Sequence, residues 1–170
     1  PHEHGFPDVD KATRGLVPVA CAEINGLVFI NQDPQADINN DVLSLPKLMP
    51  DGHRLLRSDN MVIKANWKLY IESALEGYHI RETHKDTFFP VQYDNLTVVE
   101  TFGENSRIAF PYQAIEALRK KKGTNLCADG RLTFVYHLFP NVLISTFPGC
   151  LQVVVIEPID ESTTCQHTYL

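Results

Sequence analysis

Most of the chain is built from short apolar runs that Pro, Gly, Asn and Asp residues separate. Runs rich in Val, Ile and Phe predict strands, and consecutive strands joined by short turns predict an antiparallel sheet. Turns are expected at Gly103–Asn105, Pro140-Asn141, Pro148-Gly149 and Pro158–Glu161. The expected strands are Ile24–Asn31, His53–Ile63, Leu96–Phe102, Arg107–Phe110, Leu132–Phe139, Val142–Phe147, Leu151–Glu157 and Ser162–Tyr169.

One segment has the period of a helix. Over Ala65–Tyr78, apolar residues recur at steps of three and four, which places them on a single face. Asn66 stands at its start and is expected to cap the helix. A short amphipathic helix is expected at Gln113–Lys121, and a helical turn near Val42–Leu45. Helices on one side of an antiparallel sheet give the α+β class.

Composition and charge exclude several classes of protein. The 170 residues suit one domain, and a net charge of −6 without a basic stripe disfavours nucleic-acid binding. A signal peptide and an apolar run of ~18 residues are both absent, so a membrane span is not expected. The four cysteines form no C-x-x-C pair, so a zinc ribbon is not expected, and a reduced, cytoplasmic setting fits best.

The residues best suited to bind a metal or take part in catalysis are Glu76, His79 and His84, at the end of the long predicted helix. Two imidazoles and a nearby carboxylate can bind a first-row metal such as non-heme iron and leave positions open for oxygen. The histidines are five positions apart, about 140° around a regular helix, so they can share a metal only if the helix bulges or ends between them. Gly77 and Thr83 favour such an irregularity.

Each of these residues also has an ordinary structural interpretation. One histidine can be buried and hydrogen-bonded while the other lies on the surface. Glu76 can pair with Arg81 at the helix end, or remain solvated. The spacing is therefore compatible with metal binding without requiring it, in contrast to H-E-x-x-H, which brings both rings together directly.

A wider pattern surrounds the three residues. The chain carries N-W-K at residues 66–68, then E-x-x-x-E-x-Y-H from Glu72 through Glu76 and Tyr78 to His79, and a further histidine at His84. This pattern resembles the catalytic-domain signature of the Rieske non-heme iron oxygenases, the alpha (large terminal oxygenase) subunits of aromatic ring-hydroxylating dioxygenases and their relatives. Shorter similarities to the family follow in the same order at Gly26–Ile30, Phe139–Asn141 and Ile156–Pro158.

The resemblance implies a fold and a set of roles. The implied fold is a helix-grip (START/Bet v 1-like) antiparallel sheet packed on helices around an apolar pocket. His79 and His84 would bind mononuclear Fe(II), and Glu76 would be the bridging carboxylate for electron transfer from the Rieske [2Fe–2S] cluster of a neighbouring subunit. The implied reaction is O₂ activation and hydroxylation of an aromatic or other small organic substrate. A reductase or ferredoxin would donate the electrons, and the parent protein would be a homotrimer.

The chain departs from the family pattern in three places. It lacks the C-x-H and C-x-x-H ligands of a Rieske cluster, no acid stands in the context of the third iron ligand, and Ser73 stands where many members have Asn. We therefore expect a fragment in which residues 1–20 lead in from a missing Rieske domain and residues 21–170 form a partial catalytic domain. The third ligand is expected beyond Leu170. This segment alone is expected to bind iron weakly and to be inactive.

Two other functions stay open at this point. The chain could be a hydrophobic-ligand-binding helix-grip module without catalysis, or a structural subunit with a vestigial site. His137 is expected to be a satisfied core histidine rather than a pocket residue. Four phenylalanines are expected to form either a pocket wall or plain core: Phe88, Phe89, Phe134 and Phe147.

Overall fold

The computed structural model describes residues 8–38, 46, 48–49, 52–121, 123, 127–128 and 130–170. The chain divides into two compact units, Pro1–Pro46 and Lys47–Leu170. The boundary expected at residue 20 concerns where a Rieske domain would end, and it stays a prediction. The helical turn expected near Val42–Leu45 lies outside the described residues.

The first unit contains a β-hairpin. Strands β1 (Ala20–Ile24) and β2 (Leu27–Asn31) pair antiparallel, with Ile24 opposite Leu27. The turn between them is Asn25-Gly26, and both residues have positive φ, 53° and 80°. An Asn-Gly pair with this backbone forms the type I′ turn that suits a two-residue hairpin. The expected single strand Ile24–Asn31 was therefore wrong, because it ran through this turn.

The second unit is a seven-stranded antiparallel sheet with the strand order β3-β9-β8-β7-β6-β5-β4. Strands β4 to β9 form the expected meander, while β3 joins the sheet beside the last strand. The antiparallel sheet and the α+β class are confirmed, and the helix-grip arrangement stays a prediction. The strands are β3 (Ser58–Ile63), β4 (Val98–Phe102), β5 (Asn105–Pro111), β6 (Leu132–Leu138), β7 (Val142–Phe147), β8 (Cys150–Asp160) and β9 (Thr163–Tyr169).

Strand β8 is longer than its sequence predicts. It continues through Pro158 to Asp160, with a shift of register between these two residues. A proline cannot donate to the ladder, and a bulge is one of the places where a sheet accepts it. The expected turn at Pro158–Glu161 is shorter, since the strand ends at Asp160, whose Oδ1 accepts a hydrogen bond from the Ser162 amide at 2.7 Å.

The long predicted helix is two helices. Helix α1 (Trp67–Ala74) and helix α2 (Tyr78–Thr83) are separated by residues 75–77, so the continuous helix expected over Ala65–Tyr78 was wrong. The cap at Asn66 is confirmed, since its Oδ1 accepts from the Lys68 amide at 3.0 Å. Its Nδ2 also donates to the Glu161 carbonyl at 2.9 Å, which ties the start of α1 to the β8–β9 turn.

The other predicted helix is a 3₁₀ helix, Gln113–Lys120. A 3₁₀ helix has three residues per turn, so Ile115 and Leu118 fall on one line, and both are half-buried as expected. Among the described residues, no helix is long and apolar enough to cross a membrane.

The core lies between the two α-helices and one face of the sheet. Side chains on a strand alternate between faces, so residues paired across neighbouring strands share a face. Ile108 pairs with Val135, and Leu143 pairs with Val154. Against this face pack the buried side chains of Ile71 and Ile80. The helices that carry the candidate chemistry are thus fixed to the sheet by apolar packing.

Candidate metal centre

Glu76 lies in the break between the two helices and caps the second one. Its Oε2 accepts hydrogen bonds from the backbone amides of Tyr78 and His79, the latter at 3.3 Å. The first amides of a helix have no partner within the helix, and a carboxylate at this end is favoured by the helix dipole. The break in the helix thus places the carboxylate at the start of α2.

The second oxygen of Glu76 holds the His79 ring. Glu76 Oε1 lies 2.5 Å from His79 Nδ1. A carboxylate can only accept here, so Nδ1 carries the hydrogen, and in the neutral ring Nε2 is the nitrogen with the free lone pair. Nδ1 is engaged by Glu76 and the ring lines a cavity, so Nε2 is the nitrogen available for a metal.

These contacts keep Glu76 ionised. Burial by itself would raise the pKa of the Glu76 carboxyl. The hydrogen bonds from the His79 ring and from the amides of Tyr78 and His79 together outweigh burial, and the pKa is lowered. The carboxylate is therefore negative at neutral pH, and it fixes the orientation of the His79 ring.

The end of α2 brings His84 to the same cavity. The helix ends at Thr83, and His84 is its C-cap, with φ −108° and ψ 29° and its amide donating to the Ile80 carbonyl at 3.1 Å. The helix therefore ends between His79 and His84, although the His84 amide still completes its last hydrogen bond. The side chains of His79 and His84 line one cavity, and their ring centroids lie 5.3 Å apart.

This separation fits two imidazoles on one ion. With a metal–nitrogen bond of about 2.1 Å and a ligand angle of about 90–110°, two ring centroids lie roughly 4.6–5.3 Å apart. The observed 5.3 Å is at the upper end of that range. The donor set of neutral imidazoles beside an orienting carboxylate also suits non-heme iron.

Glu76 is not placed as a third ligand of the same ion. Within the described part of the chain, one group of three donor atoms lies within 4.8 Å of one another, and it is Glu157, Cys165 and His167. In that group His167 contacts Asn60 Oδ1 at 2.9 Å and Glu157 Oε2 at 2.8 Å, so both ring nitrogens have partners. The location of the third iron ligand beyond Leu170 stays a prediction.

The cavity beside the histidines has a volume of about 170 Å³ and a mostly apolar wall. Phe88 and Phe147 belong to this wall, with their rings stacked at 6.4 Å and 13°. Phe89 packs against the core instead, and Phe134 lies beside Arg107. The cavity is lined by Ala74, Glu76, His79, Ile80, His84, Phe88, Gln92, Phe110, Thr133, Val135 and Phe147.

The ordinary interpretations can now be judged. Arg81 pairs with Asp94, Nε to Oδ2 at 2.7 Å, and the pairing of Arg81 with Glu76 was wrong. His137 does not line the cavity, and its Nε2 lies 3.2 Å from the Pro140 carbonyl oxygen, so the ring has the expected partner. It is half-buried and not part of the core, so the core position expected for it was wrong. Trp67 packs against the core cluster.

Six cavity residues were missed from the sequence: Ala74, Ile80, Gln92, Phe110, Thr133 and Val135. Phe110 and Thr133 are cross-strand partners, and Val135 follows Thr133 by two, so all three share one face. The period of two in strand β6 was a usable signal for them. Gln92 forms an isolated β-bridge after α2 and gives no periodic signal.

The comparison with known proteins agrees with the resemblance drawn from the motif. Residues 50–170 match the family model described as Ring hydroxylating alpha subunit (catalytic domain). The chain is similar to the carnitine monooxygenase oxygenase subunit of Escherichia coli (strain K12), with 28% identity over 177 residues that cover 94% of this chain and 43% of that protein. It is also similar to the anthranilate 1,2-dioxygenase large subunit of Acinetobacter baylyi (strain ATCC 33305 / BD413 / ADP1), with 33% identity over 97 residues that cover 51% and 21%.

A solved structure shows the same fold. It is the quaternary ammonium Rieske monooxygenase CntA in complex with L-carnitine, with a TM-score of 0.70, 20% identity, and coverage of 99% of this chain and 45% of that one. The chain thus spans less than half the length of the curated relatives and the structure that it matches. Rieske oxygenases use mononuclear non-heme iron and a Rieske [2Fe–2S] cluster, the latter in a separate domain. With the family model covering most of its length, the chain belongs to the ring-hydroxylating alpha subunits of the Rieske oxygenases.

Proposed function

We propose that this chain is the iron-binding part of an oxygenase catalytic domain, with His79 and His84 as two ligands of Fe(II). The observation that carries the proposal is the pair of imidazoles 5.3 Å apart on one cavity, one of them oriented by a carboxylate. Iron bound there would supply reductive O₂ activation for hydroxylation of a small organic substrate. The third ligand would come from a segment that follows Leu170.

Glu76 would have two tasks. Through Oε1 it holds His79 in the tautomer that keeps Nε2 free, and through Oε2 it fixes the start of helix α2. Its side chain is 32% exposed, so it is accessible for a hydrogen bond to a cluster ligand of a neighbouring subunit. The electrons would arrive along this contact from a Rieske cluster fed by a reductase or ferredoxin, within a homotrimer.

We further propose a quaternary ammonium compound as the substrate, within the aromatic or other small organic substrates that the resemblance implied. The relative that covers most of this chain is a carnitine monooxygenase subunit, whereas the anthranilate dioxygenase subunit matches only half of it. The cavity suits such a cation, because Phe88, Phe110 and Phe147 line it together with the ionised Glu76. Aromatic faces attract quaternary ammonium groups through their quadrupole.

The test compares iron content in the protein expressed from its complete coding sequence. His79→Ala and His84→Ala should each lose the mononuclear iron and keep the cluster iron, measured by elemental analysis beside the cluster's visible absorbance. His137→Ala is the matched control, since this ring contacts the Pro140 carbonyl away from the cavity. Full iron in both cavity variants would refute the assignment of these histidines.

A substitution of Glu76 separates metal binding from electron delivery. Glu76→Gln keeps an oxygen that can accept from His79 Nδ1 but removes the negative charge. We expect retained iron, and a fall of about 10-fold or more in the rate at which a reduced cluster is reoxidised in the presence of substrate and O₂. A variant that is reoxidised at the wild-type rate would contradict the bridging role.

The apolar cavity also supports a second candidate, a hydrophobic-ligand-binding module without catalysis. Such a module would bind its ligand equally well after removal of iron by a chelator. It would also consume no O₂ with any quaternary ammonium or aromatic substrate. Substrate-dependent O₂ consumption by the complete protein would exclude it.

A further inference from the structure

The cavity wall contains one buried amide side chain, that of Gln92. This residue is 6% exposed. Its backbone is fixed on both sides, because its amide donates to the Phe88 carbonyl at 2.8 Å and it forms a β-bridge with Tyr112. The side chain therefore projects from a rigid position.

The Gln92 amide group has no hydrogen-bond partner among the residues that the structure describes. In the described chain, no side-chain N or O atom is both fully buried and without a partner. The polar atoms of Gln92 have no partner there, so they keep some exposed surface, and Gln92 lines the cavity. A glutamine amide offers two donors and one acceptor. A nearly buried amide with this capacity open is uncommon unless something else, such as a ligand or water, satisfies it.

Apart from the ring nitrogens of the two proposed iron ligands, His79 and His84, the other polar groups of the wall are already engaged. Glu76 accepts from His79, and the Thr133 hydroxyl lies 2.6 Å from the Tyr112 hydroxyl. The described wall contains no lysine or arginine. With His79 and His84 assigned to iron, an anionic group that enters this cavity meets one other side-chain N–H donor without a partner among the described residues, the Gln92 amide.

We propose that Gln92 donates a hydrogen bond from its side-chain amide to the carboxylate of a zwitterionic substrate and so determines substrate specificity. The inference rests on the proposed function for the substrate class. The aromatic rings and Glu76 favour the cationic end of such a molecule, and Gln92 favours its carboxylate. A neutral donor can favour the carboxylate by a hydrogen bond alone. A buried positive charge in its place would also attract unrelated anions.

The test measures binding of two probes to the complete protein by calorimetry. γ-Butyrobetaine carries a trimethylammonium group and a carboxylate, and butyltrimethylammonium carries the same cation without the carboxylate. Gln92→Met keeps the length of the side chain and removes the donor, so it should weaken the binding of γ-butyrobetaine about 10-fold or more and leave the affinity for butyltrimethylammonium unchanged. Gln92→Glu keeps the shape and replaces the donor by a negative charge, so it should weaken the binding of γ-butyrobetaine further and should not weaken the binding of butyltrimethylammonium.

Gln113→Met is the matched control, because Gln113 is exposed on the 3₁₀ helix and does not line the cavity. It should leave both affinities unchanged, and thermal melts confirm that each variant is folded. The inference is overturned if the wild type binds neither probe, or if Gln92→Met weakens both probes equally or neither of them.

Oxygen consumption separates this inference from the proposed function. If the protein shows the Gln92-dependent preference but consumes no O₂, the inference about Gln92 is supported and the proposed oxygenase activity is refuted. If the wild type and Gln92→Met consume O₂ with γ-butyrobetaine at the same kcat/KM, the proposed function is supported and the inference about Gln92 is overturned.

Discussion

Replacement of Gly77 by alanine tests how the break between helices α1 and α2 is held. Gly77 has φ −105° and ψ −5°, which alanine adopts without strain, so backbone conformation does not require glycine here. Space does require it, because a Cβ at this position would lie 2.7 Å from the carbonyl oxygen of Asp94 and 3.7 Å from Phe110 Cε1. The contact with the Asp94 carbonyl is 0.7 Å short of the 3.4 Å at which ordinary contact begins.

The magnitude follows from two opposing effects. Forcing an extra methyl group into a packed site costs about 1–3 kcal/mol, and loss of the glycine's freedom in the unfolded chain returns about 0.4–1 kcal/mol. We expect Gly77→Ala to lower the free energy of unfolding by about 1–2 kcal/mol, or Tm by roughly 2–8 °C for a chain of this length. Iron affinity should fall as well, because Glu76 and His79 flank the displaced residue.

The assay is urea denaturation followed by circular dichroism, with iron content measured on the same samples. Gly15→Ala is the control, since nothing lies within 4 Å of a Cβ there. It should be neutral or slightly stabilising. A Gly77→Ala protein as stable as the wild type, with full iron, would refute the claim that the close approach to Asp94 positions the site.

Three further predictions concern the frame around the site. Asn66→Ala removes the cap of α1 and the bond to the Glu161 carbonyl, and should lower the free energy of unfolding in urea by about 1–2 kcal/mol. Ile156→Ala empties a core position that is 0% exposed and should cost about 2–5 kcal/mol, whereas Ile159→Ala on the same strand, 55% exposed, should cost under about 0.5 kcal/mol; equal losses would contradict the assigned core. The amide and hydroxyl of Ser162 donate to Asp160 and lower the pKa of its carboxyl below the ordinary 3.8. A lowered pKa gives stability that is present above pH 3.8 and is lost as the pH falls through the folded value, so acid unfolding followed by circular dichroism should begin at a higher pH in Asp160→Asn. An unchanged acid transition would argue against these hydrogen bonds.

The sheet could be predicted largely from the period of its apolar residues. Strand β7 has the expected bounds, Val142–Phe147, because apolar positions and flanking Pro and Gly both mark it. The β1–β2 hairpin was missed although Asn25-Gly26 is a strong turn signal, because the apolar residues continue across it. The apolar pattern by itself does not detect this turn, so the Asn-Gly pair has to be recognised before the strands are assigned.

The site was predictable in its residues but not in its geometry. The motif identified Glu76, His79 and His84, and their expected roles stay predictions. The period of the apolar residues indicated a single helix that continued through Glu76. The break at Gly77 depends on how closely the Asp94 carbonyl approaches, which is a tertiary contact that no local pattern reports. Gln92 lies in the same category, since its place in the cavity wall depends on the loop between α2 and β4.

The position of strand β3 has a consequence for the order of folding. Its neighbour in the sheet is β9, and Asn60 meets His167 across 107 residues of chain. Closing so long a loop is slow, and during synthesis β3 must wait until the ribosome has released β9. The cap of helix α1 depends in the same way on Glu161, 95 residues later. The histidines are translated early but fixed in place late, so the nascent chain exposes an unpaired β3 edge while the His79 and His84 side chains are still mobile. Chaperone binding at this stage would protect both the edge and the histidines.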